Sequence, residues 1–174
     1  SLLRALHALD PAMRLDVVEL RAAVIAVARR YFTLPATGTI SLRTADAMDF
    51  VRPPVETRYD LIFSDLYSAF AMDPQQGTQT FLENCAARLN DGGWLVLNYH
   101  DLPDENSLLY HSLQRIFGTV LFCVAPSGNV IIYATPAQVT LPLSALRSLA
   151  AGSGELFNCE LGYLSRKIER LHFR

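Results

Sequence analysis

The chain has 174 residues, a net charge of -2 and a hydrophobic fraction of 51%. This length suits one domain with a substantial core, and the apolar content argues against disorder. The charge gives no support for nucleic-acid binding, and the longest apolar runs fall far short of a membrane span. We therefore expect a single domain over residues 1–174, with neither nucleic acid nor membrane as a partner.

The cysteines and histidines show no metal-binding pattern. Three cysteines lie far apart in sequence: Cys85, Cys123 and Cys159. Four histidines form no pair with ligand spacing: His7, His100, His111 and His172. We therefore expect no metal site, and reduced, buried cysteines in a cytoplasmic protein. Residues 1–9 are also too short and too polar for a signal peptide.

Helices and short apolar strands alternate along the first part of the chain. Asp10-Pro11 ends the first helix, and Pro53-Pro54 breaks any helix before the third strand. Apolar periodicity predicts a helix, a strand ending on Glu19, a second helix, a second strand and a short third helix. These predicted elements lie at residues 1–9, 15–20, 20–31, 39–43 and 48–51.

The chain is organised around the stretch Tyr59–Tyr67. Leu61, Ile62 and Phe63 form a continuous apolar run, which is typical of a strand covered on both faces in a parallel sheet. Asp65 follows at the expected carboxyl end of this strand, where open α/β sheets place ligands and catalytic groups. A carboxylate at this point is equally compatible with an N-cap of the next segment.

The second half continues the alternation and closes with a hairpin. The predicted elements are a helix after Pro74 that buries Leu89, a strand at 94–98, a helix at 104–117, hairpin strands at 119–125 and 130–134, and a final helix over 161–171. Alternating strands and helices imply parallel pairing with right-handed crossovers. The sequence thus predicts an α/β fold: a doubly wound, mostly parallel sheet with helices on both faces and a C-terminal antiparallel hairpin.

Four motifs occur along the chain in a fixed order. They are an acidic strand end before a helix closing on Arg-Tyr-Phe, an Asp-Ala pair, a Tyr-Asp-Leu-Ile strand before an aspartate, and a Gly-Gly turn into a strand. They lie at residues 17–32, 46–50, 59–65 and 91–98. Together they resemble the spermidine synthase family, which has the class I methyltransferase-like Rossmann fold.

The resemblance implies a co-substrate and a set of site residues. The co-substrate is decarboxylated S-adenosylmethionine or S-adenosylmethionine, and no metal takes part. The expected cofactor-binding residues are Glu19, Leu20, Asp46, Ala47 and Ser64. The expected catalytic residues are Asp65, which positions or deprotonates an attacking amine, and its neighbour Tyr67.

Two of these carboxylates have an alternative structural reading. Glu19 lies where it can accept both ribose hydroxyls of an adenosine, but a helix start also favours a carboxylate there. Asp46 can accept the adenine amine while Ala47 leaves room for the ring, but Asp46 can instead cap a helix. Both readings stay open for each residue.

The chain departs from the family pattern in two places. Ser68 stands where spermidine synthases usually have a second acidic residue that binds the far end of the diamine. The family's first strand, its Gly-rich loop and its small N-terminal β domain are not recognised before the first helix. We therefore expect an N-terminally truncated methyltransferase-like domain whose binding of diamines is impaired.

These features predict a transferase that moves an aminopropyl group from an adenosyl sulfonium to a small-molecule amine, as in polyamine biosynthesis. The alternatives are a small-molecule methyltransferase on the same fold, or a catalytically impaired binding or structural homologue. Four apolar residues of the predicted C-terminal helix form a seam that predicts a homodimer: Leu161, Leu164, Ile168 and Leu171.

Overall fold

The computed structural model of the chain describes residues 2–35, 37–54, 57–68 and 71–173. Ser1, where the first predicted helix begins, lies outside the described residues. The fold divides into two compact units, which comprise Ser1–Arg52 with Glu155–Cys159 and Pro53–Gly154 with Glu160–Arg174. The organisation of the chain as a single domain stays a prediction.

The first unit contains a pair of parallel strands with helices. Its elements are α1 (Leu2–Leu9), β1 (Leu15–Glu19), α2 (Ala22–Tyr31), β2 (Ile40–Thr44) and α3 (Ala47–Val51). β1 and β2 pair in register from Leu15 beside Ile40 to Glu19 beside Thr44. Both strands therefore end at the same edge of the sheet. The apolar residues of β1 are half-buried.

The second unit is built on a mixed five-stranded sheet of order β3-β4-β6-β5-β7. β3 and β4 are parallel, and the other pairs are antiparallel. The predicted closing hairpin is confirmed as β5 and β6. From residue 59 the elements are β3 (Tyr59–Ser64), α4 (Gln79–Ala87), β4 (Leu89–Tyr99), α5 (Leu108–Ile116), β5 (Thr119–Val124), β6 (Val130–Thr135), α6 (Leu143–Gly152), α7 (Gly154–Phe157), α8 (Gly162–Arg166) and β7 (Glu169–Arg170). Of these, α7 belongs to the first unit from Glu155 onward.

Helices lie on both faces of this sheet. On one face, side chains of β4 and β6 are completely buried together with Leu82 of α4 and Leu113 of α5. On the other face, the Cys123 thiol of β5 lies 3.6 Å from the Leu164 carbonyl oxygen of α8. The predicted α/β fold class is therefore confirmed. The fully buried strand residues are Leu95, Leu97, Ile132 and Ala134.

β3 is buried on one face rather than on two. Ser64 lies on the buried face, whereas Leu61 and Phe63 on the opposite face are 46% and 42% exposed. β3 is an edge strand, paired with β4 on one side, and the described part of the chain leaves its second face open. The prediction of a strand covered on both sides is therefore wrong for β3.

The strand β4 begins earlier in the sequence than expected. Leu89, predicted to lie on the preceding helix, is the first residue of β4 and pairs with Tyr59. The register then shifts before Leu61 pairs with Trp94. Gly92, inside this irregular segment, has a φ of 76°, a conformation that glycine adopts without a side-chain clash.

The predicted C-terminal helix is wrong over its second half. α8 ends at Arg166, and Glu169 and Arg170 pair with β5 as the short strand β7. The Leu171 amide then donates to the Val120 carbonyl oxygen at 2.9 Å. Unpaired backbone groups at a strand edge favour strand addition, which outweighs the helical spacing of the leucines. The proposed dimer seam does not form on one helix, and self-association stays a prediction for light scattering to test.

The three cysteines differ in burial. Cys85 and Cys123 are buried, but Cys159 is exposed, so the expectation of three buried thiols is wrong for Cys159. Burial raises the pKa of the Cys85 thiol to about 12, and the opposing charge of Arg88 only reduces this effect. Because thiolates are the reactive form, Cys85 is protected twice, by its inaccessibility and by its protonation.

We expect iodoacetamide to modify Cys159 rapidly in the native protein at mildly alkaline pH. Cys85 and Cys123 should react only after unfolding, because both are buried. Peptide mass spectrometry after short labelling times measures each site. A Cys159→Ser variant should show no fast-reacting thiol, and rapid modification of Cys85 in the folded protein would contradict the structure.

Candidate functional site

Asp65 occupies the strand end where the sequence predicts a catalytic carboxylate. β3 ends at Ser64, and the exposed side chain of Asp65 follows directly. The Asn98 amide nitrogen, from the parallel neighbour β4, donates to Asp65 Oδ1 at 2.8 Å. The carboxyl ends of adjacent parallel strands thus bring an anionic acceptor and its hydrogen-bond donor together. This arrangement leaves Oδ2 without a hydrogen bond within the described residues.

Tyr67, two residues after this carboxylate, supplies a buried hydroxyl. Its Oη atom is buried and has no hydrogen-bond partner within the described residues. Its ring packs against the His100 ring with centroids 5.6 Å apart. Desolvation by burial raises the pKa of Tyr67. The negative charge of Asp65 raises this pKa further, and the electrostatic interaction with Tyr99 adds a smaller effect in the same direction. The hydroxyl therefore stays protonated at neutral pH and can donate to a ligand.

Ser64 is held by a structural hydrogen bond. Its hydroxyl is buried and donates to Gln76 Oε1 at 2.8 Å. Gln76 is completely buried in a short 3₁₀ turn, Pro74–Gly77. The hydroxyl of Ser64 therefore fixes the end of β3 in place, and cofactor binding by Ser64 stays a prediction.

Ser68 is bound within its own loop. Its hydroxyl donates to the Ala71 carbonyl oxygen at 3.0 Å and accepts from the Ala71 amide at 3.0 Å. The Ser68 amide donates to the same carbonyl oxygen at 2.8 Å. The hydroxyl that stands in place of the family's second carboxylate is thus already used by the backbone.

Glu19 ends β1 in the first unit, and Leu20 follows it with 64% exposure. Glu19 Oε1 accepts from the Arg21 amide at 2.9 Å and lies 3.5 Å from Arg21 Nε. Its side chain keeps 30% exposure. The carboxylate therefore supports the chain entering α2, and one of its oxygens remains outside these contacts.

Asp46 is the N-cap of α3, and Ala47 is the first residue of that helix. Asp46 Oδ1 accepts from the Met48 amide at 2.7 Å, so the capping interpretation is realised. The Ala45 amide donates to the Glu19 carbonyl oxygen at 3.1 Å. Glu19, at the end of β1, and Asp46, just after the end of β2, therefore lie at the same edge of the two-stranded sheet.

The predicted site residues fall into two groups. The first unit contains Glu19, Leu20, Asp46 and Ala47, and the second unit contains Ser64, Asp65 and Tyr67. The structure brings the members of each group together within their own unit. Their assignment as ligand-binding or catalytic residues stays a prediction.

Sequence reasoning missed three polar residues around Asp65: Gln76, Asn98 and Asn129. Asn98 could have been predicted from the sequence, because it is a polar residue at the end of an apolar strand. That strand is the next one after the strand that precedes Asp65, so both strand ends are expected at the same edge of the sheet. Gln76 and Asn129 lie in a turn and a hairpin loop, and polar residues are ordinary in both places. Nothing local marked them as partners of the strand end.

The described part of the chain has neither a cluster of metal-ligand residues nor a membrane-spanning helix. No group of three or more His, Cys, Asp or Glu residues there could hold a metal ion. Within those residues, every helix is too short or too polar to cross a membrane.

Comparisons with known proteins identify similar folds. No protein-family profile matches the sequence. The polyamine aminopropyltransferase of Vibrio vulnificus is 29% identical over 135 residues, which cover 74% of this chain and 44% of that protein. The chain thus spans less than half the length of this curated relative.

Two solved structures match much of the chain. Human methyltransferase-like protein 13 in complex with SAH is 19% identical, with a TM-score of 0.76 over 89% of this chain and 76% of that one. A spermidine synthase in complex with the transition-state analogue AdoDATO is 20% identical, with a TM-score of 0.68 over 91% and 57%. The protein therefore has the spermidine synthase-like, class I methyltransferase fold that its motifs predict.

Proposed function

We propose that the native protein is a spermidine synthase-like transferase that moves an aminopropyl group from decarboxylated S-adenosylmethionine to a small-molecule amine. The observation that carries the proposal is Asp65 at the carboxyl end of β3, held by Asn98 and two residues before Tyr67, whose hydroxyl is buried. The similarity to a polyamine aminopropyltransferase supports the same chemistry. The cytoplasm is the proposed compartment, since all three cysteines are free thiols.

Asp65 has a definite task in such a transfer. Amines are protonated at neutral pH, and an ammonium has no lone pair with which to attack. Asp65 takes one proton from the ammonium, and the freed nitrogen lone pair then attacks the carbon next to the sulfonium sulfur. The carbon–sulfur bond breaks, its electrons stay on sulfur as a neutral thioether, and the product nitrogen carries the positive charge. Charge and atoms balance without any further reactant.

The remaining site residues suit the adenosyl co-substrate. Glu19 provides a carboxylate oxygen for the ribose hydroxyls, and Leu20 offers an exposed apolar surface beside it. Asp46, besides capping α3, keeps a second oxygen for the adenine amine, next to the small Ala47. The Tyr67 hydroxyl has no partner among the described residues, and it fits a polar group of a bound ligand because a buried hydroxyl without a partner is costly.

Methyl transfer from S-adenosylmethionine is the second candidate, and one specific observation favours it. The Ser68 hydroxyl, which replaces the family's diamine-binding carboxylate, is bound to Ala71. A site without that second anion suits an acceptor with one amine. Human methyltransferase-like protein 13, a fold relative, is described in complex with SAH, the thioether left by methyl transfer.

The two reactions leave different thioethers, which gives a direct test. The full-length native protein is incubated with an amine mixture and either sulfonium, and the products are identified by mass spectrometry. Methylthioadenosine and an aminopropylated amine are expected from the decarboxylated donor. Formation of S-adenosylhomocysteine and a methylated amine would establish the second candidate. Turnover of neither donor above the rate without enzyme would reject both.

Replacing Glu19 by alanine should weaken binding of the sulfonium or its thioether product roughly tenfold or more, because a charge-assisted hydrogen bond to the ribose is lost. Titration calorimetry on the native-length protein measures this change. Asp16→Ala is the matched control, since Asp16 is a carboxylate on the same strand that faces Arg43 at 3.5 Å. Equal affinities of the wild type and Glu19→Ala would remove Glu19 from the site.

A further inference from the structure

The Asp65 carboxylate is the end of a chain of two side-chain hydrogen bonds. Asn129, in the loop between β5 and β6, donates from its amide nitrogen to Asn98 Oδ1 at 2.8 Å. Asn98 in turn donates from its amide nitrogen to Asp65 Oδ1 at 2.8 Å. Both asparagines are half-buried. These two bonds therefore link three separate segments of the second unit in series, and the series ends at one carboxylate oxygen of Asp65.

The Asn129 contact fixes which way the Asn98 amide points. An asparagine amide has an acceptor oxygen and a donor nitrogen on opposite sides. Because the Asn98 oxygen accepts from Asn129, its nitrogen is directed towards Asp65. The reversed orientation would place the Asn98 oxygen against a carboxylate oxygen and its nitrogen against the Asn129 donor, so both contacts would become repulsive.

Gln76 holds the backbone on both sides of this carboxylate. Its Oε1 atom accepts from the Ser64 hydroxyl at 2.8 Å and lies 3.5 Å from the Leu66 amide. Its Nε2 atom donates to the Asn98 carbonyl oxygen at 3.1 Å. One completely buried side chain thus ties the residues before and after Asp65 to the strand residue that binds the carboxylate.

We propose that Asn98 is a positioning residue for the transfer reaction, that Asn129 orients it, and that together they present Asp65 Oδ2 to the attacking amine. This inference rests on the proposed function for its chemistry. The Asn98 bond prevents rotation of the carboxylate by occupying Oδ1. A fixed acceptor then meets the amine at one angle, and small displacements of reacting groups are costly in rate.

The structure offers a matched control pair between the same two strands. At the other end of β3 and β4, the Asn90 amide nitrogen donates to Asp60 Oδ1 at 2.9 Å. This pair has the same chemistry as Asn98 with Asp65, but it lies at the opposite end of the two strands from the proposed site. Asn90→Ala therefore removes an equivalent asparagine–aspartate bond without touching the proposed site.

The network itself is tested by NMR of the side-chain amide groups in the full-length protein, which requires no activity. Asp65→Ala and Asn129→Ala should each shift the Asn98 amide signals and speed their hydrogen exchange, while leaving the Asn90 signals unchanged. Asn98 signals that respond to neither variant would overturn the inference, whether or not the protein transfers a group.

Kinetics tests the positioning role. Asn98→Ala should lower kcat roughly tenfold to a hundredfold, with the affinity for the sulfonium unchanged, because misplaced reacting groups slow the chemical step. Asn129→Ala should lower kcat roughly twofold to tenfold, as expected for loss of one neutral hydrogen bond. Asn90→Ala should leave kcat at the wild-type value.

The double variant separates orientation through Asn98 from an independent effect. If Asn129 acts through Asn98, then Asn98→Ala combined with Asn129→Ala is no slower than Asn98→Ala alone. Multiplied losses, or an Asn98→Ala enzyme with wild-type kcat, would overturn the inference. A wild type that turns over neither sulfonium would reject the proposed function, and the amide signals would then decide whether the network exists.

Discussion

Asp65→Asn is expected to lower the rate of group transfer by roughly 10²–10⁴-fold, the usual contribution of a positioned general base. An amide cannot accept the proton of an ammonium, so the nitrogen lone pair is not released. The fold should survive, because the new side chain keeps an oxygen that can accept from Asn98 at the position of Oδ1. Single-turnover rates with the amine acceptor measure the loss.

The affinity of the Asp65→Asn variant for the adenosyl sulfonium distinguishes a catalytic role of Asp65 from a structural one. Affinity for the adenosyl sulfonium should stay within about twofold of the wild type, since loss of an interaction made only in the transition state leaves ground-state binding unchanged. Asp60→Asn is the matched control, because Asp60 accepts from Asn90 on the same pair of strands. An Asp65→Asn enzyme as fast as the Asp60→Asn enzyme would show that Asp65 is not the base.

Local sequence patterns predicted the strand that carries Asp65. The apolar run Leu61–Phe63 and the aspartate that follows it are recognised from adjacent residues alone. The structure places the end of β3 at Ser64, directly before this aspartate. The hairpin of β5 and β6 was predicted in the same way, since the turn residues between them are adjacent in the chain. Elements determined by contiguous residues are accessible from the sequence alone.

Contacts between distant segments were not accessible. Gln76 is 0% exposed, yet its sequence neighbours Asp73, Pro74 and Gln75 are typical of an exposed turn. Its burial is decided by partners at Ser64 and Asn98, which periodicity does not relate to it. The prediction of a helix over the C-terminal segment is wrong for the same reason. Residues 169–170 pair with the edge of β5, and this distant contact determines their conformation.

Putrescine should be a poor acceptor for the wild type, no better than butylamine. A diamine needs one anion near the reacting nitrogen and a second for its distal ammonium, and a neutral hydroxyl binds an ammonium far less strongly than a carboxylate does. Ser68 supplies only a hydroxyl, and that hydroxyl is bound to the Ala71 backbone. Steady-state kcat/KM for both amines, with decarboxylated S-adenosylmethionine as the donor, measures the preference.

Ser68→Asp should restore the preference for a diamine. One added charge-assisted contact is worth about 1.5–3 kcal/mol, which corresponds to one to two orders of magnitude in the ratio of kcat/KM for putrescine to that for butylamine. The new carboxylate can still accept from the Ala71 amide, so the loop keeps one of its two side-chain bonds.

Butylamine matches putrescine in length but lacks the distal ammonium, so its kcat/KM should not rise in the Ser68→Asp enzyme. Ser148→Asp, on the exposed surface of α6, adds the same charge elsewhere and should change neither amine. A general increase for both amines would indicate a nonspecific electrostatic effect. A wild type that already prefers putrescine strongly would show that another group binds the distal ammonium, and that Ser68 does not determine the acceptor.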